Sequence, residues 1–529
     1  MACTPIPCLW PQLPHLANQN EDALWPCLST NKRLTLVMQT TPYDCRIHFQ
    51  NVSIVIVTAL LSAYACITGL PFIDWMDAVA YQATGRYMVE YGVFMPEPLS
   101  YSAFLEKGIA GFGMTRVNYP NYLYELSLGF LGVLRGDFSL VNGIVLSAGV
   151  TLIFALLFYR VARNLLNNAP LALVCTVFVL TNRVVQELTA RPLSDLSLLI
   201  FGLLAFYAAF KMHSFLAGLI LGCGYLFREH AILLLLFIPL ASPATDSLRG
   251  LVKTGIAMGL GFVPGFAAAA LLKGLFTVGE PQANLYASHF LSVQWFSHEA
   301  VLRLLSHSRT YAANLGIVLC IVIAISFLLY AKLSFLSRRA LLIGTGVAGL
   351  ICLLWTMNPS IPERYLAFSI ILFGVMVADI VQKSRHPVVF FCLFMASSLI
   401  FRFPPAFNTD FATALLSPRQ ALCDVLATIQ SPAQVREFFP PNSIVLESFP
   451  PLAYIILDEP VVVSIPAFED FLAATGNDKL DGIWLRGHRA LDWPDQDRIA
   501  DASGIRFQRI VPTGTLFPDG QRFYARVKE

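Results

Sequence analysis

Two aspartates, Asp74 and Asp77, stand where the chain leaves its first long apolar run, in the stretch PFIDWMDAVAYQATGRYMVEYGVFMPEP over residues 71–98. Asp77 is followed four residues later by Tyr81, then by Arg86, Glu90 and Gly92. A helix over 76–91 puts Asp77 and Tyr81 on one face, one turn apart. A carboxylate held at the mouth of a membrane cavity is a candidate general base. The ordinary alternative is a solvated loop carboxylate, and the elements around the stretch decide between the two.

Those elements belong to a membrane protein. Of 529 residues, 56% are hydrophobic and 13% charged, whereas soluble domains are about 25% charged. The net charge of +2 comes without a basic tract, so nucleic acid is not an expected partner. The eleven cysteines are scattered, among them Cys3, Cys8, Cys27 and Cys45, with no CxxC or Cys/His cluster. Neither a zinc site nor a disulfide scaffold is indicated. No GxSxG, HExxH, Walker or GxGxxG motif stands in its required context, which argues against a serine hydrolase or a nucleotide-driven pump.

Residues 1–50 lack periodicity and read as a disordered cytoplasmic segment, with Lys32, Arg33 and Arg46 before the first span. Met1 and Met38 both stand as possible starts. The first span covers roughly 52–72, and the mixed segment 73–120 follows as an outer loop. Residues 121–134 read as an interfacial helix carrying Glu125. Further spans are expected at 139–159, 169–182, 194–210, 254–272, 311–331, 340–356, 365–382 and 387–403. Residues 214–241 carry Arg228, Glu229 and His230 in their middle. One tilted helix would bury three ionisable groups at roughly 2.5–3.5 kcal/mol for each charged one. Two short helices with the charges at the outer surface avoid that cost. The count is then about eleven spans, with the N-terminus inside and the C-terminus outside. Residues 404–529 change character: strand-length apolar runs at 443–447, 461–465, 482–485, 506–511 and 523–527 alternate with helical patterns at 418–430 and 467–475. They read as a small extracytoplasmic α/β domain.

Charges gather at the outer ends of the spans: Arg183, Glu187, Arg191 and Asp195, then Arg228, Glu229 and His230, then Glu363, Arg364 and Tyr365. Arginines in short outer loops run against the positive-inside rule. They suit a lipid-linked phosphate, which a guanidinium grips with two hydrogen bonds. Internal Arg–Glu pairing and snorkelling to headgroups is the plainer reading of any single one. His289 and His298 lie in a loop and read as solvated, while Trp295 and Phe296 read as interface anchors.

With these residues in view, the chain resembles the GT-C superfamily of membrane glycosyltransferases, in the branch of the protein mannosyltransferases and the lipid A aminoarabinose transferases. That branch carries, after its first span, an Asp, a Tyr four residues on and a Gly eleven further, similar to Asp77, Tyr81 and Gly92. Its Pro-initiated aromatic helix is similar to Tyr119-Pro120-Asn121-Tyr122-Leu123-Tyr124, its small-residue hairpin with a basic tip to 218–240, and its Arg-Tyr opening a late span to Arg364-Tyr365. The chain departs from the branch at Ala78, where a second carboxylate is common, and at Arg228, where lysine is common.

The resemblance implies a polytopic α-helical membrane domain over 51–403 with the catalytic outer loop 73–120, followed by a C-terminal α/β domain over 404–529. It implies inverting transfer of a sugar from a polyprenyl-phosphate donor to a hydroxyl of a glycan, lipid or protein. Asp77 would be the base, with Asp74 beside it. Arg228, Arg364, Arg191 and Arg183 would hold the donor phosphate, and Tyr81, Glu229, His230 and Tyr365 would line the cavity. Some members use a divalent metal, but no ligand set for one stands out in this sequence. The expected location is the inner (plasma) membrane. A transporter or flippase, or an assembly protein whose soluble domain carries the activity, are the other classes open.

Overall fold

In a computed structural model of the chain, the described residues are 52–60, 76–95, 99–107, 122–138, 141–190, 193–276, 298–354, 363–400, 435–437, 439, 441–447, 450–457, 460–485, 493–510 and 522–527. The N-terminal segment 1–50, the loop residues His289, Trp295 and Phe296 and the expected helix at 418–430 lie outside them. Residues 52–60 of the first expected span are helical.

The helices are α1 (Met76–Glu90), α2 (Tyr101–Lys107), α3 (Tyr122–Arg135), α4 (Val141–Leu166), α5 (Ala169–Leu180), α6 (Arg183–Ala190), α7 (Asp195–Phe210), α8 (Ser214–Phe227), α9 (Leu248–Phe276), α10 (His298–Leu315), α11 (Ile317–Leu328), α12 (Phe335–Leu354), α13 (Ala367–Val381), α14 (Pro387–Ile400), α15 (Pro450–Ile456) and α16 (Phe468–Ala473). Among the described residues, four stretches are long and apolar enough to cross a membrane: α4, α9, α12 and Arg364–Val381, which joins the preceding turn to α13. Residues of α10 and α11, broken at Gly316, add a fifth if the pair is one span. Helices α5, α7, α8 and α14 are apolar but short. At 1.5 Å per residue a helix of 12 to 16 residues reaches about 18 to 24 Å, less than the ~30 Å of a bilayer core. The expected count of about eleven spans is thus not confirmed: the described residues hold four or five long helices with short apolar ones among them. The outward face of α9 is apolar, with Val252, Ile256, Leu260, Val263 and Leu271 exposed, as suits a helix facing lipid.

The hairpin at 214–241 breaks where its charges predict. Its second arm differs from the expected helix: it is one turn at Ala231–Leu234 followed by 3-10 turns at Ile238–Ala241 and Pro243–Asp246. Pro239 and Pro243 remove two amide donors there, so a continuous ladder cannot form. Its first arm, α8, packs intimately on α9. A Cβ on Gly218 would lie 2.0 Å from the Met258 carbonyl oxygen, and one on Gly261 would lie 2.2 Å from that of Phe215. Small residues of this kind let two backbones approach without side chains between them.

The C-terminal region forms one mixed sheet in the order β2-β1-β3-β6-β5-β4, made of β1 (Ile444–Glu447), β2 (Val461–Ser464), β3 (Gly482–Leu485), β4 (Arg498–Ala500), β5 (Arg506–Ile510) and β6 (Arg522–Arg526). Strands β2, β1 and β3 are parallel, and β6, β5 and β4 are antiparallel. Five strands follow the predicted apolar runs. The sixth, β4, has one buried residue of three, too little alternation to read from sequence.

Residues Leu99, Tyr101 and Phe104, from the segment expected as an outer loop, pack with this sheet. Leu99 pairs in parallel with Val463 and extends the sheet beyond β2, its amide donating to the Val462 oxygen at 2.9 Å. Tyr101 and Phe104 of α2 enter the core of the sheet, and the Tyr101 hydroxyl donates to Asn477 Oδ1 at 2.7 Å. Helix α1 has two faces. Val79, Ala83 and Tyr87 pack against Tyr454 and Trp484 of the C-terminal domain. Tyr81 and Gly85 face the membrane-side helices, and Gly85 sits so close to α3 that its Cβ would lie 2.2 Å from the Glu125 carbonyl oxygen. Arg86, 8% exposed, donates from Nη1 to the carbonyls of Tyr454, Ile455 and Leu457 at 3.1–3.2 Å, and from Nε to Glu90 at 2.8 Å. A cation there meets the negative end of α15. Charge-assisted bonds contribute about 1.5–3 kcal/mol each, so Arg86→Met should loosen this docking. Thermolysin digestion of the detergent-solubilised protein is expected to free the C-terminal domain about ten-fold faster or more.

At the other end of α15, Glu447 closes β1 and is 1% exposed. Its Oε2 accepts from the Ala453 amide at 3.2 Å, while Oε1 has no hydrogen-bond partner among the described residues. Burial pushes this carboxyl well above the usual range, with the Ala453 amide pulling the other way. The folded protein thus keeps a proton that the unfolded chain releases above about pH 4.3. Stability then falls as pH rises from that value toward the raised one, by up to about 1.4 kcal/mol per pH unit. Melting temperatures between pH 5 and 8 should fall for the wild type relative to Glu447→Gln, which has no charge to bury.

Candidate functional site

Arg228 is the centre of a buried polar cluster. Helix α8 ends because Arg228 turns extended, at φ −155° and ψ 120°, while its amide still donates to the Gly224 oxygen at 2.8 Å. This turn points its side chain into the bundle, where it is 5% exposed. Nη1 donates to the Tyr81 hydroxyl at 2.6 Å and to Ser194 Oγ at 3.3 Å, and Nη2 donates to the Tyr365 hydroxyl at 2.9 Å. Nε stands 3.3 Å from Asp195 Oδ1. A single planar fork thus ties together α1, the start of α7 and the 3-10 turn Glu363–Leu366.

Arg364 approaches the same carboxylate from the other side, with its Nε 3.6 Å from Asp195 Oδ2. Its Nη2 donates to the Tyr365 hydroxyl at 3.4 Å. Both guanidiniums lie over the Tyr365 ring, 5.6 Å (Arg228) and 5.2 Å (Arg364) from its centroid, and the His230 ring stacks on it at 4.7 Å. On the α1 side, Tyr81 meets Tyr124 edge to face at 5.7 Å. Asp195, His230, Arg364 and Tyr365, with apolar residues including Leu199 and Phe368, line a cavity of about 30 Å³, room for about one or two waters. A phosphate would enter only as these side chains part.

Electrostatics in the connecting turn follow from burial. The imidazole of His230 is pushed well below its usual range by burial first, then by Arg228 and Arg364, so it is neutral. Burial raises the Glu229 carboxyl, opposed by Arg228 and Lys273. Among the described residues, two permanent cations thus flank the Asp195 carboxylate, and guanidiniums are suited to anion binding.

Of the residues singled out by sequence, Tyr81, Arg228, His230, Arg364 and Tyr365 converge, and Glu229 stands in the adjoining turn. Asp77 falls in the first turn of α1, one turn before Tyr81, with its side chain outside the described residues. Arg183 opens α6, which packs on the turn Glu363–Leu366, and its side chain is likewise outside the description. Asp74 and Arg191 lie wholly outside it. His298 is exposed at the start of α10. Among the described residues no three His, Cys, Asp or Glu side chains form a metal-ligand set. Ser194, Asp195, Tyr124 and Glu125 were given no site role by sequence. In the sequence Asp195 stands as one of the charges at the span ends, and its place between two arginines is set by the fold. The chain matches no protein-family model and no curated protein.

Removing one partner of a buried ion pair leaves the other charge uncompensated, at about 3–5 kcal/mol. Arg228→Met should therefore lower the melting temperature sharply. Asp195→Leu should be destabilising too, since it also takes a partner from Arg364, and the double variant should lose less than the sum of the two because they share one contact. A double-mutant cycle followed by thermal unfolding in detergent measures the coupling.

Proposed function

We propose that this protein is an integral membrane glycosyltransferase that moves a sugar from a polyprenyl-phosphate donor to an acceptor hydroxyl on the outer face of the membrane. The observation that carries the reading is the convergence of Arg228 and Arg364 on one small site. Tyr81, one turn beyond Asp77 on α1, reaches into the same site. The short helices α5, α7, α8 and α14 would complete a GT-C-like bundle toward about eleven passes. The N-terminus would be cytoplasmic and the C-terminal domain extracytoplasmic, in the inner (plasma) membrane.

In this reading the acceptor hydroxyl belongs to a glycan, lipid or protein and approaches along α1. Asp77 takes its proton as the oxygen attacks the anomeric carbon. The bond from that carbon to the phosphate oxygen breaks, and negative charge grows on the departing lipid phosphate. Arg228 and Arg364 stabilise that charge because they are already aimed and poorly hydrated. A lipid phosphate is a good leaving group, so no dedicated acid is needed. Arg183 and Arg191 would stand behind the first two arginines, and Asp74 beside the base.

The test uses full-length protein in lipid nanodiscs with a panel of undecaprenyl-phosphate sugars labelled in the sugar, and membrane lipid, glycan and protein fractions as acceptors. Label should transfer from one donor class. Asp77→Asn should keep undecaprenyl phosphate binding while transfer drops by about 10²–10⁴. Undiminished transfer would move the base to Asp74. Movement of the lipid across the bilayer with no covalent product would instead identify a flippase.

A further inference from the structure

Glu125 stands in the first turn of α3 with no exposed surface, and neither of its carboxyl oxygens makes a hydrogen bond among the described residues. The seam between α1 and α3 fixes it there. A Cβ on Gly129 would lie 2.2 Å from the Gly85 carbonyl oxygen, as one on Gly85 would from that of Glu125. Backbones this close leave α3 no room to turn the carboxyl outward. Burial pushes the carboxyl well above its usual range, opposed by Arg228. At neutral pH it therefore keeps its proton and offers one O–H and one carbonyl oxygen. The Tyr122 hydroxyl has Glu125, Tyr225 and Glu229 as electrostatic neighbours, so Glu125 belongs to a group of two carboxyls and two phenols beside Arg228. A leucine would fill the same space without forfeiting hydrogen bonds, and a buried polar group left unsatisfied costs stability. A group kept there at that cost is explained by a polar partner that arrives.

We propose that Glu125 recognises the transferred sugar, its carboxyl taking two neighbouring hydroxyls of the ring carried on the lipid phosphate. The inference rests on the reading that this phosphate docks at Arg228 and Arg364. The ring is joined to the phosphate through the anomeric oxygen, so it lies next to Arg228, and Glu125 is within electrostatic reach of that arginine. Asp195, the other buried carboxylate there, is already flanked by both guanidiniums. Hydroxyl groups both donate and accept, which matches a carboxylic acid that does the same. Tyr122 and Tyr225 add apolar bodies with polar tips, which suit a ring with hydroxyls on its rim and C–H groups on its faces. Tyr225 and Leu226 are half-buried and pack on the cluster of Tyr122 and Phe94, so they are the side chains that part to admit the ring. A site built to hydrogen-bond a hydroxyl rejects the analogue that lacks it, because its own polar group stays unpaired. Glu125 thus lets the site tell a loaded carrier from an empty one by contact with the sugar.

The experiment measures binding of undecaprenyl-phosphate glucose, mannose and arabinose to full-length protein in nanodiscs. The reference probe is undecaprenyl methyl phosphodiester, which has the same single charge and no sugar. Wild type should bind at least one loaded lipid about ten-fold tighter than the methyl diester. Glu125→Leu should erase that advantage and leave the methyl diester unchanged. Glu125→Gln, which keeps a donor and an acceptor in place, should retain most of it. Because Glu125→Leu removes a buried polar group rather than a bond, its melting temperature should hold or rise. The proposal is overturned if no loaded lipid outbinds the methyl diester, or if Glu125→Leu keeps the advantage or weakens every probe alike. It is equally overturned if Glu125→Gln does no better than Glu125→Leu, or if Glu125→Leu melts well below wild type, which would make Glu125 a structural residue. If wild type binds none of the probes, the lipid-phosphate reading fails with it, whereas binding without a sugar preference sinks this proposal alone.

Discussion

A guanidinium carried into the middle of a helical bundle must be met there by counter-charge and hydrogen-bond acceptors, since the cost of stripping its water is otherwise several kcal/mol. Arg228 imposes that condition on this protein, and three separate pieces of chain answer it among the described residues. Tyr81 comes from α1, Ser194 and Asp195 from the start of α7, Tyr365 from the turn before α13, and Arg228 itself ends α8. The end of α8, the start of α7 and the turn before α13 meet at the cluster, and α1 crosses it in mid-helix. The glycine contacts between α8 and α9, and between α1 and α3, bring backbones close enough for the side chains to meet. The geometry of the polar cluster and the packing of the bundle are thus one problem with one solution.

Helix α1 carries this arrangement beyond the bundle. Its Tyr81 is held by Arg228, while its Arg86 grips the end of α15. The C-terminal sheet, extended by Leu99, is therefore fastened to the same helix on which Asp77 sits. A helix free to roll could not keep Tyr81 in register with a buried arginine. Fastened on both faces, α1 has little freedom to turn.

Much of this was legible from residue types and spacing. The break at Arg228–His230 follows from the cost of burying charge, and the Asp77–Tyr81 helix from its period. Five of the six strands follow from apolar runs, and Arg364-Tyr365 was recognised as a pair at the head of a late span. What was not legible depends on contacts between distant residues or on length. Asp195 stands out in the sequence as one of the charges at the span ends, but only the folded bundle puts it between two arginines. Leu99 has no strand pattern around it, because it borrows its partner from β2. Apolar composition marked α5 and α7 as spans at nearly the bounds they have, but composition does not report that 12 to 16 helical residues fall short of a bilayer core. The second arm of the 214–241 segment is as apolar as a span, and Pro239 within it and Pro243 just beyond decide against one.

The seam between the outer loop and the C-terminal domain also dictates an order of events during synthesis. Arg86 and the Tyr454 carbonyl are separated by 368 residues. At ribosomal speeds of about 5–20 residues per second, that interval lasts roughly 20 to 70 s. For that time the apolar face of Val79, Ala83 and Tyr87, and the edge residue Leu99, have been made but their partners have not. The bundle must insert around a half-covered helix and wait for the last stretch of the chain to close it. Commitment to the finished site is consequently a late step, and a chain cut short before β1 would carry its arginines without the clamp on α1.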